Sequence, residues 1–200
     1  MKVEVQQYKK SLNETKFTAQ DIAIIWDFYV TKSIAKTCSQ RRQITSYGWA
    51  QVPWKEMKEK ASLSDERVKI LLANTINNTL ANFDLITEEG SGNKKHNKPI
   101  EIDTIKIVCS TTFKIADEEN PKPSMGEAES VLTHIRNSFA HGCTYFFDND
   151  NVLLEDKDKN GIITARMILK QQTLLDWIYI IDKEKKYYGN IERNIFYNNI

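Results

Sequence analysis

The sequence predicts a mainly α-helical fold: a bundle with one small antiparallel β-hairpin or sheet placed after the helix that ends at His141. Three observations carry this. Apolar residues recur at steps of three and four through most of the chain, as in Val131, Leu132, Ile135 and Phe139, and in Leu174, Leu175, Ile178 and Ile181, which is the helix period. Between those two groups the period switches. Short β-type runs at Thr144–Phe147, Val152–Glu155 and Ile162–Leu169 are separated by Asp-Asn-Asp-Asn and by a turn holding Asn160-Gly161, a strong hairpin signal. Finally, 200 residues with 40% hydrophobic and 28% charged content are ordinary for a globular chain with a core of useful size.

Taken in order, residues 1–17 are polar and read as weakly ordered. Thr18 can cap a helix carrying Ile22, Ile24, Ile25, Trp26, Phe28, Tyr29, Ile34 and Ala35. That helix is apolar over more than one face, which suits the centre of a core or a dimer seam. Ser39 to Arg42 is a basic connector. Trp49 and Trp54 flank Pro53, where a helix restarts and runs to Ala61. After a turn at Ser62–Asp65, the stretch Glu66 to Phe83 places Val68, Leu71, Leu72, Ile76 and Leu80 at helical spacing. Asp84 to Ile100 is a loop of Gly, Asn, Lys and Pro. Ile102, Ile105, Val108 and Phe113 suit a helix, while their β-branched content leaves a strand pair open. A linker, 117–123, closes this N-terminal part, residues 18–123.

Ser124 with Glu127 makes a capping-box signature, and Gly142 is the residue type that ends helices in the left-handed conformation, so a helix runs from about Met125 to His141. His134, Asn137, Ser138 and His141 stack into a polar stripe beside its apolar face. Lys170 to Asp182 forms a last helix whose apolar face can cover this one. The tail, 183–200, is rich in Lys, Tyr and Asn and reads as loosely held.

Composition excludes several classes. A formal net charge of +1 gives no global basic field, so nucleic-acid contact must come from a local patch. Cys38, Cys109 and Cys143 are odd in number and lack metal-ligand spacing, which predicts free thiols, no disulfide and no structural zinc. The chain opens without an apolar run of signal-peptide length and has no membrane-spanning run, so the expected location is cytoplasmic. A Gly-rich phosphate loop, paired metal-binding histidines and a Ser-His-Asp arrangement are all missing, and no cofactor is expected.

Two motifs carry chemistry. The layout helix, turn, helix, charged loop over 53–105 matches a winged helix-turn-helix, with Lys94, Lys95, His96 and Lys98 placed to meet phosphate. The other motif is Arg136 with His141. Five helical positions separate them by roughly 7.5 Å of rise and about 140° of rotation, so joint action needs a bent last turn or a second copy of the helix. A basic pair followed by Gly also simply complements a helix C-terminus.

Arg136-Asn137-Ser138-Phe139-Ala140-His141-Gly142 resembles the signature of the HEPN superfamily: Arg, a polar residue, three more residues, then His at a helix end. From Thr144 to Asp182 the chain is similar to the hairpin and closing helix of a bacterial, often plasmid-borne HEPN branch, so the likeness covers about 124–182. The resemblance implies a HEPN-type helical bundle that homodimerises. It also implies a metal-independent endoribonuclease, built from the Arg and His of two subunits, that leaves 2′,3′-cyclic phosphate ends in phage defence or toxin-antitoxin and plasmid maintenance. Other members keep the fold as non-catalytic nucleotide-, RNA- or protein-binding modules. For such cleavage, which needs a base and an acid, His141 at a helix C-terminus suits the acid role, Arg136 can fork onto phosphate oxygens and Asn137 can orient the ring or hold a phosphate oxygen, with His134, Ser138 and Tyr145 secondary. Some such toxins work with an antitoxin or nucleotidyltransferase partner that modifies a Tyr two residues beyond the His. Here that position is Cys143, and Tyr145 lies four residues on.

Overall fold

The computed structural model describes residues 3–5, 10–12, 15–35, 38–61, 69–73, 105–110, 125–159 and 163–189. Strands β1 (Val3–Val5) and β2 (Lys10–Leu12) pair antiparallel inside the segment read as weakly ordered. Helix α1 (Ala19–Trp26) starts where Thr18 predicts. The Thr18 hydroxyl accepts from the Asp21 amide at 3.1 Å, and the Asp21 carboxylate accepts from the Thr18 amide at 2.9 Å, a reciprocal capping box. Without a break the chain widens into a π turn, Asp27–Thr31, closed by Lys32 N–H on the Asp27 carbonyl. That turn seats Phe28 and Tyr29 in the core, while Ile22 and Trp26 stay exposed. Helix α2 (Trp54–Lys60) follows Pro53.

Beyond α2 the expectation of a mainly helical bundle fails, and the protein is mixed α/β. Strands β3 (Lys69–Ala73), β4 (Lys106–Ser110), β5 (Thr144–Phe146), β6 (Asn151–Lys157) and β7 (Ile163–Lys170) form one sheet in the order β3-β4-β7-β6-β5. Pairing is antiparallel throughout, except that β3 lies parallel to β4. The small hairpin is therefore one edge of a five-stranded sheet. The helix expected over Glu66–Phe83 is a strand in its described part. A run such as Ile70-Leu71-Leu72 fits either period, and pairing with a distant strand decides it. For 105–110 the strand alternative holds, with Ile107, Val108 and Cys109 fully buried. The winged-helix layout over 53–105 fails with its recognition helix, since Lys69–Ala73 is β3. Its loop residues Lys94, Lys95, His96 and Lys98 lie outside the described residues.

Helix α3 (Glu127–Ala140) packs across β6 and β4 and against the π turn, where the Phe139 ring stacks on Tyr29 at 6.0 Å. Its N-cap is Gly126, in extended conformation and without a side-chain cap, and the expected partner Ser124 is outside the described residues. Helix α4 (Gln171–Ile181) packs chiefly on α2 and α1, not on α3 as expected. Three side-chain donors fix it there, Trp177 and Tyr29 buried and Trp49 half-buried: Trp177 indole to the Met57 carbonyl at 2.8 Å, Trp49 indole to the Ile181 carbonyl at 2.7 Å and Tyr29 hydroxyl to the Leu174 carbonyl at 2.9 Å. The tail is anchored as far as Gly189. The Asp182 carboxylate accepts from the amides of Lys186, Tyr187 and Tyr188, and burial pushes the Tyr188 phenol far above its ordinary range. Among the described residues no helix is long and apolar enough to cross a membrane.

Strand alternation gives β6 two different faces. Val152, Leu154 and Asp156 face the side that carries the main hydrophobic cluster, with Ala165, Met167 and Leu169 beside them on β7. Leu153 and Glu155 face the other side, with Ile168 and Arg166. All of these are buried, so the sheet presents no solvated face at β6 and β7.

Candidate active site at the end of α3

The last turn of α3 ends as Gly142 predicts. Gly142 has φ +68, the Cys143 amide donates to the Ser138 carbonyl at 2.9 Å, and the Gly142 amide donates to Phe139 at 3.1 Å. These two bonds make a Schellman closure, and only a residue without Cβ adopts that φ cheaply. His141 is the cap residue, φ −94 and ψ 0, where regular winding stops. The turn is then tied to the sheet, because the Cys143 carbonyl accepts from the Glu155 amide at 3.0 Å. That bond brings the next residue of β6, Asp156, beneath the helix end.

Asp156 is the centre of the site, and its side chain is only 3% exposed. A carboxylate this buried is costly unless hydrogen-bonded and paired. Its Oδ2 accepts from Asn137 Nδ2 at 2.8 Å and meets His134 Nδ1 at 2.6 Å. Its Oδ1 lies 3.7 Å from His141 Nδ1, a charge contact longer than a hydrogen bond. The His141 side chain is 50% exposed. One carboxylate thus joins a buried imidazole, a half-buried amide and an imidazole open to solvent.

His134 is fully buried, and its Nε2 faces the Ser110 carbonyl at 2.8 Å. Its two ring nitrogens thus face two oxygens, the Asp156 carboxylate and the Ser110 carbonyl. Ser130, one turn earlier, donates to the same Ser110 carbonyl at 2.5 Å, which pins α3 to the end of β4. Arg136 is half-buried. Its Nη1 donates to Asn137 Oδ1 at 3.0 Å, and this orients the Asn137 amide with its nitrogen toward Asp156. Among the described residues the buried Arg136 Nε has no hydrogen-bond partner.

Of the predicted residues, the fold brings together Arg136, Asn137, His134 and His141, all through Asp156. Arg136 and His141 face different directions on the helix, as their spacing requires, but they are linked within one chain through Asn137 and Asp156. Ser138 is not part of this group: its hydroxyl donates back to the His134 carbonyl at 2.8 Å, four residues earlier, a local helix bond. Tyr145 pairs with Leu153 and so stands on the sheet face opposite Asp156, where burial raises its phenol. Cys109 is fully buried near Ser130, and burial pushes its thiol up to about 12, so it stays protonated as a core residue.

Chemically, this arrangement offers a solvent-facing imidazole backed by a buried carboxylate, with a guanidinium anchored to the same carboxylate through an amide. It is the equipment of acid-base and anion chemistry. Asp156 and the Ser110 carbonyl were missed in the sequence. Asp156 sits in the charge run Glu155-Asp156-Lys157-Asp158-Lys159, and the available signal was its place in the alternation Val152, Leu154, Asp156. Compared with known proteins, the chain matches no family model, no curated protein and no solved structure.

Proposed function

We propose that this protein is a metal-independent endoribonuclease of the HEPN type, acting in the cytosol in phage defence or plasmid maintenance. The observation that carries the reading is His141 of the RNSFAHG segment, half-exposed and backed by the buried Asp156, with Arg136 joined to the same carboxylate through Asn137. RNA supplies its own nucleophile. His141 as base takes the proton of the 2′-hydroxyl, the 2′-oxygen attacks the neighbouring phosphorus, and the bond from phosphorus to the 5′-oxygen breaks. An acid returns a proton to that 5′-oxygen, leaving a 2′,3′-cyclic phosphate and a 5′-hydroxyl. Each proton transfer of this kind typically contributes about a hundred- to ten-thousand-fold. Arg136 forks onto the phosphate oxygens as charge grows there.

One chain carries one such His, and the reaction needs a base and an acid. A homodimer that apposes two α3 ends supplies both. The test is cleavage of total RNA by purified protein in excess EDTA, with analysis of the new ends. Wild type is expected to leave cyclic phosphate, and His141→Ala to lose at least about a hundredfold in rate. Cleavage surviving in both His141→Ala and Arg136→Ala would refute the assignment. Folded wild type that binds RNA and never cuts it would move the protein to the non-catalytic HEPN-like binding class.

A further inference from the structure

We infer that Asp156 is the positioning residue of this site: it holds His141 with Nδ1 toward the protein interior, so that Nε2 is the atom presented to substrate. This deepens the ribonuclease reading and rests on it for the reaction served. The two carboxylate oxygens of Asp156 have different partners. Oδ2 is occupied twice, by His134 Nδ1 at 2.6 Å and Asn137 Nδ2 at 2.8 Å. Those two donors sit three residues apart on α3 and fix the plane of the carboxylate. His134 is itself fixed on its far side by the Ser110 carbonyl at 2.8 Å. Oδ1 is left for His141, whose Nδ1 lies 3.7 Å away. Among the described residues His141 is the contact recorded for that oxygen.

Consequences for the imidazole follow from which atom faces which. A neutral ring has one N–H and one lone pair. Beside a carboxylate oxygen at 3.7 Å the N–H belongs on Nδ1, where its positive end faces the negative charge. The lone pair then lies on Nε2, on the far side of the ring, where half of the side chain is open to solvent. Free imidazole side chains prefer the opposite tautomer, with hydrogen on Nε2, which cannot accept a 2′-hydroxyl proton at that atom. Asp156 is too deep to reach substrate, and its role is exerted through His141.

The experiment reads tautomers directly, without RNA. Protein labelled with nitrogen-15 is examined by two-bond proton–nitrogen correlation of the three histidine rings, at alkaline pH where an exposed imidazole is neutral. Wild-type His141 is expected with hydrogen on Nδ1 and a bare Nε2. In Asp156→Asn the His141 signals are expected to move to the Nε2–H pattern, and cleavage in EDTA to fall about ten- to a hundredfold in kcat with KM unchanged, the range set by removing comparable orienting partners. Should the buried substitution unfold the chain, the wild-type spectrum still decides. His141 found with hydrogen on Nε2 in wild type, or unchanged in a folded Asp156→Asn variant, overturns the inference. A wild type that cleaves no RNA yet shows the Nδ1–H tautomer sinks the ribonuclease reading and leaves the orientation of His141 by Asp156 supported.

Discussion

Glu155 and Asp156 are neighbours on β6, both buried and both carboxylates, yet the two faces of the strand treat them differently. Glu155 lies directly across from Arg166 in the antiparallel register. Its Oε1 accepts from Arg166 Nε at 2.9 Å and meets Nη2 at 2.8 Å, and Lys157 Nζ lies 3.6 Å from Oε2. Its main partner, Arg166, is nearly inaccessible and comes from the adjacent strand. The pair is closed within the sheet. Asp156 instead takes its partners from α3 and the turn after it, and one of them, His141, is half in solvent. The contrast teaches how to separate structure from chemistry among buried charges. A direct ion pair between adjacent strands locks a register, as Glu155 and Arg166 do with the Lys157 ammonium only flanking them, whereas a buried carboxylate set beneath an exposed imidazole can pass its influence to something arriving from outside.

The largest effect that can test this comparison is on the closed side. Arg166→Leu leaves Glu155 buried without its main counter-ion, and removal of one member of such a pair costs about 3–5 kcal/mol. Urea unfolding is expected to show a loss of that size, and a loss under about 1 kcal/mol would mean that Glu155 is not closed as described. An intermediate effect belongs to the turn joining the two sides. Gly142→Ala places a Cβ in open space but at φ +68, so the cost is backbone strain of about 1–2 kcal/mol, read as a lower melting temperature. The smallest is on the open side. His141→Ala is expected to change stability by less than about 0.5 kcal/mol while removing cleavage. If its unfolding midpoint fell as far as that of Arg166→Leu, the two carboxylates would be equivalent and the distinction would collapse.

The start of α1 and much of the C-terminal half were legible in the sequence because their signals are local. Thr18 caps α1, Gly142 takes the left-handed conformation, and β5, β6, β7 and α4 lie within a residue or two of where turn residues and periodicity place them. The polar stripe of His134, Asn137 and His141 was also visible, although as a row beside the core and not as a row aimed at a carboxylate. What failed was non-local. Val68, Leu71, Leu72, Ile76 and Leu80 read as one face of a helix, and β4, far along the chain, supplies the backbone partners that make Lys69–Ala73 a strand. Asp156 was hidden for a related reason. A run of alternating charges beside a turn reads as solvated, and the helix that buries it precedes it in sequence without announcing a partner.

The sheet order has a consequence for how the protein assembles. β6 and β7 are close neighbours in sequence, whereas β4 must reach β7 across the whole of α3 and the hairpin, and such distant pairings form slowly because chain entropy opposes them. The Ser110 carbonyl that completes the bonding of His134 arrives with β4. Until it docks, His134 and Asp156 lack one wall of their pocket. The imidazole at the helix end is therefore aligned only when the most distant strand of the pocket has joined the sheet, which makes completion of the site one of the last events of folding.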